Sequence, residues 1–91
     1  MKKLPKHVKV YLNYFQIGEQ DTWQCEACGR VRPINNGLNI HHIKYRSRGG
    51  DDSINNCMCL CMKCHNLAHR EFIKEDKLRE THYKFLENEQ R

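Results

Sequence analysis

Ninety-one residues with 16 Lys+Arg, 11 Asp+Glu and six cysteines leave room for one compact domain, 1–91, whose small core needs a covalent or metal staple. No apolar run reaches the ~18 residues of a membrane span or the pattern of a signal peptide, so a membrane-spanning class is excluded and a reduced, cytoplasmic setting is expected. The net charge of +5 permits a nucleic-acid partner without requiring one.

In chain order, Leu4, Val8, Tyr11, Leu12 and Phe15 recur at helical spacing, Pro5 suits a first turn and Gly18 a stop, which predicts a helix over 5–17. Lys2, Lys3, Lys6 and Lys9 fall in the acid-free stretch 1–17, and the helix lysines lie mostly on its exposed side. From Trp23 to Arg32, two close cysteines followed by Gly29 suggest a tight knuckle rather than regular structure. Asn35-Asn36-Gly37 is a turn signal. Leu38 to Ile43 then reads as a strand, with Leu38 and Ile40 on one face, His41 and Ile43 on the other, and His42 sharing the face of Ile40.

Arg48-Gly49-Gly50-Asp51-Asp52 is a loop by composition, and Ile54 to Leu60 can return as the second strand of a hairpin. Met62 to about Ile73 lacks Gly and Pro and sets His65 and His69 four apart on one helix face. Leu78, Phe85 and Leu86 support a further helix, 75–88, either separate from the previous one or continuous with it. The segment 23–73 would thus hold the knuckles and the core of the domain.

Cys25-Glu26-Ala27-Cys28 and Cys61-Met62-Lys63-Cys64 are two C-x-x-C knuckles able to close one tetrahedron. Four thiolates suit a structural Zn2+, since a closed-shell ion accepts that geometry and leaves no open position; iron–sulfur and redox-disulfide readings are weaker in this setting. Cys57 and Cys59 lie outside the pairing and read as small buried apolar residues. His41, His42, Asn56, His65 and His69 flank the knuckles. A hairpin feeding a helix whose start is pinned by zinc would bring them together, leaving His65 and His69 free to hold a second cation with a strand residue. Arg32, Lys44, Arg46 and Arg48 lie in 31–50, which has no acid, so positive charge surrounds the histidine pair where a polyphosphate would be drawn. An ordinary solvated face is the plain alternative.

The run from Cys25 to His69 resembles the HNH endonucleases with a four-cysteine zinc site. The likeness rests on Cys25 and Cys28, His41-His42-Ile43, Arg48-Gly49-Gly50, Asn56, Cys61-Met62-Lys63-Cys64-His65 and His69, and includes the three letters of the family name as His42, Asn56 and His65. It implies an α+β fold, a ββα-metal finger with flanking amino- and carboxyl-terminal helices. It also implies a DNA phosphodiester hydrolase that leaves 5′-phosphate and 3′-hydroxyl ends. By the same likeness His42 is the general base and Asn56 orients its imidazole through the amide oxygen. His41 and His65 are metal positions, joined by His69 in histidine-rich members.

The implied catalytic cation is Mg2+, Mn2+, Ni2+ or Zn2+, imidazole ligands suiting the later metals better than magnesium. Lys44, Arg46 and Arg48 become candidate phosphate contacts, while Tyr45 is expected to fill core space more readily than to stack on a base. The departures from the family pattern, Cys57, Cys59 and a longer connection before the histidine pair, remove no chemical role. The flanks are similar to those of short phage-encoded members that work beside packaging proteins, which implies a bacterial or phage-infected host, and phage terminase or portal partners or a restriction system. A non-catalytic zinc-stabilised module that binds DNA or protein is the alternative; retention of every catalytic residue type favours the enzyme.

Overall fold

The computed structural model describes residues 4–89; Lys2 and Lys3 of the basic amino end lie outside the described residues. Tyr11 and Leu12 are buried on α1 (Lys6–Phe15), Val8 and Phe15 half-buried, and Lys6 and Lys9 exposed, as the apolar periodicity requires. The helix ends sooner than Gly18 suggested. Gln16 turns left-handed at φ 57°, its N–H bonding to Asn13 O and that of Ile17 to Leu12 O, a Schellman-type end without glycine.

The first knuckle lies between two short strands that the sequence reading did not foresee, β1 (Thr22–Gln24) and β2 (Val31–Pro33), paired antiparallel with Trp23 opposite Arg32. Its turn closes through Cys25 N–H to Arg30 O (2.8 Å) and Gly29 N–H to Cys25 O (2.8 Å), and Glu26 N–H reaches Cys59 O at 2.9 Å. That last bond joins the knuckle to the second sheet. There β3 (Leu38–His42) runs antiparallel to β4 (Cys57–Cys61), His42 opposite Cys57 and Leu38 opposite Cys61.

α1 and α2 (Met62–His69) both pack on this hairpin, so β4 is buried along its whole length and carries no polar side chain besides thiols. Ile54–Asn56, expected within that strand, instead forms a 3₁₀ turn that carries Asn56 inward. α2 stops at His69 rather than near Ile73. Glu71 is left-handed at φ 60°, with its N–H on Ala68 O and that of Phe72 on Leu67 O. α3 (Glu75–Glu89) is therefore separate, and buries Leu78, His82 and Leu86.

The core gathers Tyr11, Leu12, Leu38, Met58, Leu60 and Leu78. A polar network runs through it. The carboxylate of Glu26, fully buried, accepts from Tyr11 Oη (2.5 Å), Cys59 N–H (2.9 Å) and His82 Nδ1 (2.6 Å). His82 Nε2 donates to Ile54 O at 2.6 Å, and Trp23 Nε1 donates to Tyr11 Oη at 3.2 Å. Each polar atom of this network thus has a partner, without which burial would cost about 1–3 kcal/mol apiece. Burial and then Glu26 push the Tyr11 phenol far above its ordinary range. Among the described residues no helix is long and apolar enough to cross a membrane.

Candidate metal centres and active site

The end of β4 and the start of α2 carry the second cysteine pair, and the Glu26–Cys59 bond brings the first pair against it. The sulfurs of Cys25, Cys28, Cys61 and Cys64 lie within 4.8 Å of one another, with Cys28 exposed and the other three buried. Cys28 Sγ and Cys61 Sγ stand 3.7 Å apart. Two thiolates on one tetrahedral zinc at about 2.3 Å would be separated by about 3.8 Å, whereas a disulfide needs about 2.0 Å. The donor set therefore fits a zinc site. Cys57 and Cys59, both fully buried, take no part; burial, and then nearby carboxylates, push the Cys57 thiol up to about 12, and burial, followed by Glu26 and the thiols of Cys25 and Cys61, raises the Cys59 thiol as well.

Strand alternation sends His41 and His42 to different neighbours. His41 meets α2, its ring centroid 5.3 Å from that of His65 and 5.4 Å from that of His69. His65 Nε2 and His69 Nε2 approach to 3.0 Å, a contact satisfied by one shared proton or by a cation between them. Nδ1 of His65 is buried without a hydrogen-bond partner. Burial, then the His65 and His69 rings, push His41 down to about 4, and burial followed by His69 lowers His65. Neutral rings keep the lone pairs that ligation requires, and the three-imidazole set fits a divalent cation of the manganese-to-zinc series. Tyr45, expected in the core, instead reaches His69 Nδ1 with its hydroxyl at 3.2 Å and stacks on that ring, a contact that fixes ring orientation.

His42 points toward α1. Its Nε2 donates to Asp52 Oδ1 at 2.8 Å, and the ring packs on His7 with centroids 4.1 Å apart. The His42 hydrogen bond holds the Asp52 carboxyl below its ordinary range. Neither His7 nor Asp52 was identified from the sequence: the first lies 35 positions away on a helix read only for its apolar face, the second in a stretch read as loop.

Asn56 does not touch the imidazole as the family likeness suggested. Its Oδ1 accepts from Lys44 N–H (2.8 Å), while Nδ2 donates to Lys44 O (3.0 Å) and Asp51 O (2.8 Å). The amide thereby clamps the two ends of the hairpin loop, and so sets where His42 and Asp52 stand. Gly50 is obligatory in that loop, because a Cβ there would lie 1.8 Å from Lys44 O. A shared hollow is lined by Ile40, His41, His42, Tyr45, Arg46, His65 and His69. Arg48 borders an adjoining hollow with His41 and His69, but Lys44 faces a different one, beside Gly50 and Asn56.

A family profile described as HNH endonuclease matches residues 25–71. The chain is 40% identical over 58 residues to "Type IV methyl-directed restriction enzyme EcoKMcrA" of Escherichia coli (strain K12), a match covering 58% of this chain and 21% of that protein. It is 36% identical over 61 residues to "Anaredoxin" of Nostoc sp. (strain PCC 7120 / SAG 25.82 / UTEX 2576), covering 67% of this chain and 76% of that protein. No solved structure matches. With the cysteine cluster, the hairpin-and-helix core and the profile match in agreement, the chain belongs to the HNH endonuclease family.

Proposed function

We propose that the chain, acting as a single unit over 1–91, is a cation-dependent DNA endonuclease that hydrolyses phosphodiester bonds. The observation that carries this reading is the shared hollow in which the three-imidazole set of His41, His65 and His69 adjoins His42 and Arg46. Hydrolysis needs an activated water and relief of charge on the phosphate and the departing oxygen. Because the Asp52 carboxylate only accepts, the His42 proton sits on Nε2, and Nδ1 is left with the lone pair that takes a proton from water. His41, His65 and His69 would hold the divalent cation, which when bound neutralises charge at a phosphate oxygen and at the 3′ oxygen. Arg46 and Arg48 hold the phosphate backbone near the hollow, with Lys44 contributing charge from the neighbouring side. Asn56 acts on the loop and not on the substrate. The four-cysteine zinc site is structural.

DNA is the substrate this reading commits to, in the cytoplasm of a bacterial or phage-infected cell. Of the two settings considered, restriction draws support from the name of the Escherichia coli relative, and packaging beside terminase or portal proteins draws none. In a plasmid assay across Mg2+, Mn2+, Ni2+ and Zn2+, the wild type is expected to relax or linearise DNA with at least one of them. His42→Ala should retain zinc and DNA binding but lose at least about 100-fold in rate, the scale of a general base. Cutting by His42→Ala at the wild-type rate would remove His42 from the role, and a wild type inert with every cation would favour the binding-module alternative.

A further inference from the structure

His7, His42 and Asp52 place one ligand atom each within 4.8 Å of one another. This trio is separate from His41, His65 and His69, and His7 lies outside the segment 25–71 that defines the family. Two features prepare His7 for ligation. Its Nε2 stands 3.0 Å from Ile40 O, and since a carbonyl can only accept, that nitrogen carries the proton and the lone pair belongs to Nδ1. A histidine that donates its far N–H to a backbone carbonyl is the usual arrangement around a bound metal, because it fixes tautomer and ring angle together. The ring is also held from its face by His42, so little freedom is left to lose on binding. Asp52 supplies an oxygen already at hydrogen-bond distance from His42 Nε2; a cation taking the place of that shared proton would move it to Nδ1 of the same neutral ring.

We propose that His7, His42 and Asp52 form a third, inhibitory cation site, filled by imidazole-seeking divalent metals such as zinc, nickel or cobalt and not by magnesium. Two nitrogens and one carboxylate oxygen are a donor set that later first-row metals take up, while magnesium prefers oxygen and keeps its water. The consequence for His42 follows from the ring itself. A neutral imidazole has a single lone pair, so whichever nitrogen ligates, the other carries the proton and cannot accept one from water. The site rests on geometry alone, and its inhibitory effect rests on the proposed role of His42 as base.

The test counts metal on the full, zinc-loaded chain by equilibrium dialysis against cobalt or nickel, comparing wild type with His7→Phe, which keeps an aromatic ring against His42 but has no ligand atom. Retention of the thiolate-to-cobalt charge-transfer band in cobalt-substituted protein reports that the fold is intact. His7→Phe should bind one equivalent fewer than wild type, with the remaining sites unchanged. Binding of as many equivalents as wild type overturns the proposal. If His7→Phe loses the thiolate band, Asp52→Asn provides the same comparison, with the same two outcomes. In the second arm, zinc is titrated into the manganese-supported plasmid reaction. Wild type should be inhibited, and His7→Phe should need at least about tenfold more zinc for the same loss, the scale on which a lost metal contact weakens a site. Equal zinc sensitivity of the two proteins overturns the inhibitory claim. A wild type that never cleaves DNA defeats the proposed function instead, while the metal count still decides the site.

Discussion

Asn56 and His42 sit close in the fold and were expected to touch, yet the amide spends its bonding capacity on the backbone of Lys44 and Asp51. A buried amide with backbone groups on both sides satisfies them first, because orphaned backbone polar atoms have no alternative partner. Asn56→Ala is therefore expected to lower stability by about 1–3 kcal/mol, measured by denaturant unfolding of the zinc-loaded protein, with cleavage falling as the loop loosens. Unchanged unfolding would show that the clamp is dispensable. His41 makes a different prediction. Burial and the neighbouring rings hold it near 4 in the folded chain against 6.5 for an ordinary imidazole, so between those values the unfolded chain binds the extra proton. Stability then falls as pH drops from about 6.5 toward 4. His41→Phe should flatten that slope, and an unaltered slope would assign it to other groups. The histidines of the three-imidazole set were legible in the sequence because the spacing of His65 and His69 on one helix face is a local property. His7 and Asp52 were not, since only tertiary packing of α1 against the hairpin loop brings them to His42.

At the level of elements, the apolar periodicity of α1 and the alternation in β3 were readable because each is a repeating consequence of backbone geometry. Their ends were not. Both α1 and α2 close through a left-handed residue that is not glycine, Gln16 and Glu71, and the usual glycine signal therefore pointed too late in one case and was missing in the other. Side chains in that conformation cost roughly 1–2 kcal/mol. Glu71→Gly should accordingly stabilise the zinc-loaded protein by about 1 kcal/mol, seen as a rise in Tm; a lower Tm would mean that the glutamate side chain contributes more than its backbone strain costs. The β1–β2 hairpin escaped notice for another reason. Strands of three residues have too few positions for an alternating pattern to emerge, and these form because the knuckle turn closes between them.

For the molecule as a whole, the α+β architecture and the zinc knuckles were legible from cysteine spacing, and the profile match agrees with that reading. The metal joins a turn between two strands to the junction of a strand and a helix, so its binding free energy is in large part folding free energy. Strong chelators should collapse the far-UV helical signal and the fluorescence of Trp23 together, and a chelated chain that keeps both would show that the apolar core suffices alone. What composition could not reveal is the role of Glu26, which stands between two cysteines and reads as an exposed charge. In the fold it is gripped by Tyr11 from one flank and by His82 from the other. A peptide trimmed to 25–71 would carry every signature residue of its family, yet its Glu26 carboxylate would keep only Cys59 N–H of its three partners. The portable unit is thus larger than the motif: transplanting this finger into another scaffold would require surrogates for both flanking helices, not merely the sulfur and imidazole residues.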